Sequence, residues 1–150
     1  MNPKRILIAV DASENSERAV AYVGDVLCHA REAEILLLCI AKTPDRDLFP
    51  DEAAWRASTS EQKAAYAKFL DHALDILRER GVDEACIEKR LAPYKGPSIA
   101  QDILSVQRVE GFGTVVVGRR GVSREEEFLF GSVSSRIIQH ARDCAVWVVE

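Results

Sequence analysis

Short, almost wholly apolar runs recur along this chain, each separated from the next by a stretch with helical periodicity. Residues 4–10 (KRILIAV), 34–40 (EILLLCI), 114–117 (TVVV) and 145–149 (AVWVV) are of this kind. A strand covered on one face alternates apolar and polar side chains. One covered on both faces reads as a continuous apolar run, the pattern of a parallel sheet flanked by helices. Residues 85–91 (ACIEKRL) mix charged and apolar side chains and are expected to form an edge strand. Of the stretches between, Ala19, Val20, Val23, Leu27 and Ala30 make a helical stripe with Ser13 as N-cap and Glu14 at the positive helix end. A second helix is expected over about 60–80, showing Phe69, Leu70, Ala73, Leu74 and Leu77, with Thr59 and Gln62 as a capping box and Gly81 as its stop. A third begins near Pro97, and a fourth follows Gly131-Ser132 with Val133, Ile137, Ile138 and Ala141. The order βαβαβαβαβ implies right-handed crossover units and one α/β domain over residues 1–150, an open parallel sheet with helices on both faces.

Composition narrows the function classes. With 150 residues, 47% hydrophobic and 29% charged, the chain has the make-up of an ordinary globular protein, and no apolar run reaches membrane-spanning length. A net charge of −4 argues against nucleic acid or anionic lipid as a partner. The run 6–10 is too short for a signal-peptide core and ends at Asp11, so a cytoplasmic location is expected. Four scattered cysteines (Cys28, Cys39, Cys86, Cys144) and three scattered histidines lack the close pairs that structural zinc needs, and they suggest reduced thiols.

In an open α/β sheet, ligands sit beyond the carboxyl ends of the strands, where neighbouring connections diverge to opposite faces. Two places answer that description. Asp11 directly follows the first strand, where its carboxylate either accepts hydrogen bonds from ribose hydroxyls or a base amino group, or helps turn the chain into the next helix. After 115–117 come Gly118-Arg119-Arg120-Gly121, nine residues, and then Gly131-Ser132 opening a helix. Glycines let backbone N–H groups face a ligand, and a helix N-terminus attracts anions. The competing account gives the glycines to tight turns and Ser132 to an N-cap. Neither a P-loop, nor G-x-G-x-x-G after the first strand, nor a G-x-S-x-G elbow occurs, and Gly111-Phe112-Gly113 is expected to be a loop. The long connection 41–58 is expected to be either a lid or an exposed, partly helical excursion around Trp55.

These residues resemble the universal stress protein family over nearly the whole chain. Ile6-Leu7-Ile8-Ala9-Val10-Asp11-Ala12-Ser13 is similar to the family's opening, Gly96-Pro97-Ser98 to the start of its third helix, and Gly118, Gly121, Gly131 and Ser132 match its G-x-x-G-x9-G-[ST] signature. The resemblance implies strand order 3-2-1-4-5 and an ATP site. Asp11 would contact the ribose, with Ala9, Val10 and Ile40 near the adenine. Gly118, Arg119, Gly121, Gly131, Ser132 and Val133 would surround the phosphates, with magnesium accompanying them. It also implies a homodimer through 145–149, where Ala145 stands in place of the family's usual proline and Trp147 is either an interface anchor or a core residue. Glu125-Glu126-Glu127, near the phosphate loop, reads as a solvated turn. The function so implied is nucleotide-dependent regulation in a stress response, with at most slow hydrolysis because Asp11 is the only carboxylate assigned to the site. Its alternatives are a nucleotide-free dimeric interaction module and an adenine-binding enzyme such as a nucleotidyl transferase; the latter lacks its usual element after the first strand.

Overall fold

A computed structural model describes residues 2–30, 32–119 and 133–150. Nine main elements alternate along them: β1 (Asn2–Ala9), α1 (Glu14–Leu27), β2 (Glu34–Ala41), α2 (Glu52–Glu79), β3 (Ile87–Pro93), α3 (Ile99–Glu110), β4 (Phe112–Gly118), α4 (Val133–His140) and β5 (Ala145–Val149). The strands form one parallel sheet in the order β3-β2-β1-β4-β5, so the expected α/β class and strand order both hold.

Strand geometry alternates side chains between faces, and the two cores follow that parity. Ile6, Ile8, Leu37 and Val116 point to one face, where α1 and α2 cover them with Val20, Val23 and Leu77. Leu7, Leu36, Leu38 and Val115 point to the other, under Ile103 and Leu104 of α3 and Ile137 of α4. Burial on both faces is the reason these strands read as unbroken apolar runs. β3 and β5 are the edges, and the mixed sequence of β3 reflects its one-sided cover.

Two boundaries depart from the sequence-based expectation. Gly111-Phe112-Gly113 is not a loop: Gly111 ends α3 in the left-handed region (φ 72°), and Phe112 and Gly113 already belong to β4. A side chain at Gly113 would lie 2.2 Å from the Asn2 carbonyl oxygen, so glycine there permits the close β1–β4 approach beside the irregular register. The larger departure is α2, which starts at Glu52, eight residues before the expected start, with Asp51 as N-cap accepting from the Ala54 N–H at 2.7 Å. Thr59 lies inside the helix, its hydroxyl donating to the Trp55 carbonyl at 2.9 Å rather than capping anything. Most of the expected excursion is thus helix, and the true connection is 42–51 with a short 3-10 turn at Arg46–Leu48.

At 28 residues α2 is about 42 Å long, whereas an eight-residue strand spans about 26 Å. Its fully buried side chains run only from Leu70 to Leu77. Since α2 runs back against the strand direction, its first half overhangs the carboxyl ends of the sheet. Trp147 is half-buried, packs against the α1-side core and meets Tyr22 edge-on at 6.2 Å, so it behaves as a core-flanking residue.

Candidate functional site

β1 and β4 lie side by side, with Ala9 opposite Val117, yet the chain leaves β1 for the α1 face and β4 for the α4 face. A cleft of about 340 Å³ opens where these connections part. Ala9, Leu38, Ile40 and Val117 form an apolar slot, closed from α3 by Ile99 and Ile103. Val10 and Tyr66 wall the opposite side, and Asp11, Ser13, Ser16, Lys42 and Ser134 supply polar groups. An apolar slot bordered by a carboxylate, hydroxyls and an ammonium suits a ligand with an aromatic part and a polar part.

Asp11 is held from several directions. Its Oδ1 accepts from the Ser13 N–H (3.2 Å), the Ser13 hydroxyl (2.5 Å) and the Ser16 hydroxyl (2.7 Å), while its own N–H donates to Ser16 Oγ at 3.0 Å. Ser13 caps α1 by accepting from the Ser16 N–H. The carboxylate therefore serves the turn through one oxygen and still borders the cleft; the two sequence readings of Asp11 are compatible. Between them Ala12 sits at φ 64°, a left-handed conformation that costs a non-glycine residue about 1–2 kcal/mol. That strain turns the chain sharply out of β1 and keeps Asp11 beside the slot.

The residues singled out from sequence distribute unevenly. Ala9, Val10, Asp11, Ile40, Gly118 and Val133 all border the cleft. Arg119 does not; it is exposed, and its N–H extends the β4–β5 pairing by donating to the Val149 carbonyl at 2.7 Å. Gly121, Gly131 and Ser132 lie outside the described residues, as does Glu125-Glu126-Glu127. Gly118 has a packing role that sequence reasoning missed: a Cβ there would stand 2.4 Å from the Asn15 carbonyl oxygen, so glycine lets the first turn of α1 rest on the end of β4. Lys42 and Tyr66 were also missed. Lys42 directly follows a buried strand, the same signal that singled out Asp11; Tyr66 reaches the cleft only because α2 overhangs the sheet.

Two protonatable groups near Asp11 are biased towards neutrality. Burial, with a smaller effect of the Asp11 carboxylate, pushes the Cys39 thiol up to about 12. Burial also raises Tyr66, helped by Cys39 and Asp11 and opposed by its hydrogen bond with Gln62. Both stay protonated at neutral pH, so neither supplies a nucleophile. Asp11 is the only carboxylate bordering the cleft among the described residues. Those residues hold no group of three His, Cys, Asp or Glu side chains placed to bind a metal. No helix among them is long and apolar enough to cross a membrane.

Comparison with known proteins agrees with this architecture. The model of the universal stress protein family matches residues 2–150. Universal stress protein YxiE of Bacillus subtilis is 27% identical over 159 residues, which cover 97% of each chain. Two solved structures share the fold. The universal stress protein from Archaeoglobus fulgidus in complex with dAMP aligns with a TM-score of 0.65 and 20% identity over 97% of each chain. A universal stress protein family member from Arabidopsis thaliana with AMP bound gives 0.69 and 21% over 98% of this chain and 91% of that one.

Proposed function

Because this chain belongs to the universal stress protein family, we propose that its cleft binds an adenine nucleotide, ATP with magnesium, and that occupancy regulates what the protein associates with during stress. The observation that carries this reading is a carboxylate anchored at the mouth of an apolar slot, at the point where the connections after β1 and β4 diverge. In it, the adenine lies in the slot against Ala9, Val10 and Ile40, and Asp11 Oδ2, which none of the three serine hydrogen bonds uses, accepts from the ribose. The phosphates run towards Gly118, Gly121, Gly131, Ser132 and Val133, and Arg119 joins through its guanidinium since its amide is engaged by Val149. Magnesium arrives on the triphosphate, held by phosphate oxygens and water. Homologous structures with AMP and dAMP support the nucleotide class.

Thermal melting with and without ATP and magnesium tests the site. Ligand at about 100 times its dissociation constant stabilises by about 2.7 kcal/mol, a rise of about 5–10 °C for a domain of this size. Asp11→Asn is the discriminating variant. It keeps one oxygen for Ser13 and Ser16 but turns the second into a donor that cannot accept from a ribose hydroxyl. We expect most of the shift to vanish in the variant; no shift in nucleotide-free wild type would favour the interaction-module reading. Phosphate release from the same samples should be slow, because Asp11 is engaged at the ribose end and, among the described residues, no second carboxylate borders the cleft to activate water. Rapid magnesium-dependent turnover abolished by Asp11→Asn would overturn the non-enzymatic assignment.

The reading extends to a cytoplasmic homodimer joined through β5. Its support is an edge strand with Val148 36% exposed on one face and, on the other, Trp147 edge-on to Tyr22, which is 50% exposed, together with four free thiols suited to a reducing compartment. A mass measured in solution at the monomer value would remove the dimer.

A further inference from the structure

The buried stripe of α2 continues past the end of the sheet. Leu70, Ala73 and Leu77 pack in the α1-side core, and Tyr66 carries the same helix face one turn nearer the helix start. Since α2 runs against the strand direction, that turn lies about 6 Å further out along the helix axis, where the cleft opens. The Tyr66 ring is half-buried against the core, and it is the one aromatic side chain that borders the cleft among the described residues.

Its hydroxyl is only half satisfied. The oxygen accepts from Gln62 Nε2, a further turn along α2, at 3.5 Å, while the hydroxyl proton has no acceptor among the described residues. Burial, then Cys39 and then Asp11 hold that proton on the oxygen, so the phenol is a donor at neutral pH. Asp11 is its complement. Ser13 and Ser16 occupy Oδ1, and Oδ2 has no partner among the described residues. No hydrogen bond joins the phenol to the carboxylate. The cleft therefore presents one spare donor from α2 and one spare acceptor from the turn between β1 and α1.

A ribose carries two neighbouring hydroxyls, each able to donate and to accept. The single free oxygen of Asp11 accepts from one of them, and the oxygen of the other then needs a donor. We propose that Tyr66 donates a hydrogen bond to one ribose hydroxyl while Asp11 accepts from the other, and that this pairing makes the cleft prefer ribonucleotides to nucleotides that lack the hydroxyl Tyr66 contacts. The inference rests on the adenine-nucleotide reading above and adds a specificity for the sugar. In the free protein water serves the phenol. A bound sugar excludes that water, and a sugar without the hydroxyl leaves the phenol proton unpaired, which is how a site built to bond a hydroxyl rejects an analogue lacking it.

Calorimetric titration of ATP, 2′-deoxy-ATP and 3′-deoxy-ATP, each with magnesium, into wild type and Tyr66→Phe tests this. Phenylalanine keeps the ring against the core and removes only the donor, and an unchanged melting temperature without nucleotide checks that the variant folds as wild type does. The variant is expected to bind ATP about three- to tenfold more weakly and to lose as much for one deoxynucleotide. The other, which lacks the hydroxyl that Tyr66 contacts, should change by less than about twofold. In wild type that spared nucleotide should itself bind about three- to tenfold more weakly than ATP. Equal losses for all three ligands in the variant, or an unchanged ATP affinity, would overturn the proposal while leaving the nucleotide cleft intact. Equal affinity of wild type for all three would overturn it without any variant. A wild type that binds none of them would instead overturn the cleft reading, and this inference with it.

Discussion

Alanine at position 118 is expected to lower stability by about 1–3 kcal/mol, or several degrees of melting temperature, although it adds only a methyl group. The new Cβ would lie 2.4 Å from the Asn15 carbonyl oxygen and 2.6 Å from its carbon. Both are backbone atoms in the first turn of α1 and cannot rotate aside. The β4 side cannot yield easily either, since Gly118 pairs with Val149 and the next amide donates to the Val149 carbonyl. α1 must therefore move, carrying Ser13 and Ser16, which hold Asp11. Nucleotide affinity should fall together with stability, and melting curves plus an ATP titration of Gly118→Ala measure both. Unchanged melting would show that the start of α1 shifts freely and that packing does not require glycine here. The same crowding makes larger residues at 118 poor probes of phosphate binding, because they disturb the fold whether or not a ligand binds.

A larger effect is expected from Ile137→Ala, a loss of about 2–5 kcal/mol. α4 has only eight residues, a length at which a helix has little stability of its own and depends on tertiary packing. Its buried side chains are Ser134 and Ile137, and Ile137 is 0% exposed within the α3-side core. Truncation opens a cavity beneath the helix and frees the turn that carries Val133 and Ser134 to the cleft. Chemical denaturation should show the stability loss. Hydrogen exchange should show faster opening of α4 than of β1 or β4, and ATP should bind more weakly than to wild type. The neighbouring Ile138, 57% exposed, is the control: its alanine variant should lie within about 0.5 kcal/mol of wild type. Similar losses at both positions would mean that α4 is not anchored as its burial indicates.

The cleft is built from parts of unequal legibility. Ala9, Val10, Asp11 and Ile40 border it because strand ends converge at a switch point, a place that can be read from the alternation of apolar runs and helices. Tyr66 could not be found that way. It sits mid-helix, about 55 residues after Asp11 in the chain, and reaches the cleft because α2 begins at Glu52 and projects past the sheet. The start of α2 was hidden for a physical reason. Its overhanging half covers no core, so the sequence from Glu52 to Ser60 needs no apolar stripe, and only Pro50-Asp51 marks the cap. Gly118 was visible as a glycine, but its packing against Asn15 joins residues distant in sequence and has no local signature.

By itself the sequence determined the class of fold, the parallel sheet and the position of Asp11. Each follows from local periodicity: strands covered on both faces must be apolar throughout, and crossover helices must show one buried stripe. The tertiary structure alone decided that Asp11 both holds the turn and borders the cleft, that Ala12 bears left-handed strain to hold it there, and that Lys42 and Tyr66 border the same cleft. Those facts depend on where separate elements meet. Coulombic and steric terms act through space between residues remote in the chain, and no periodicity in the sequence records them.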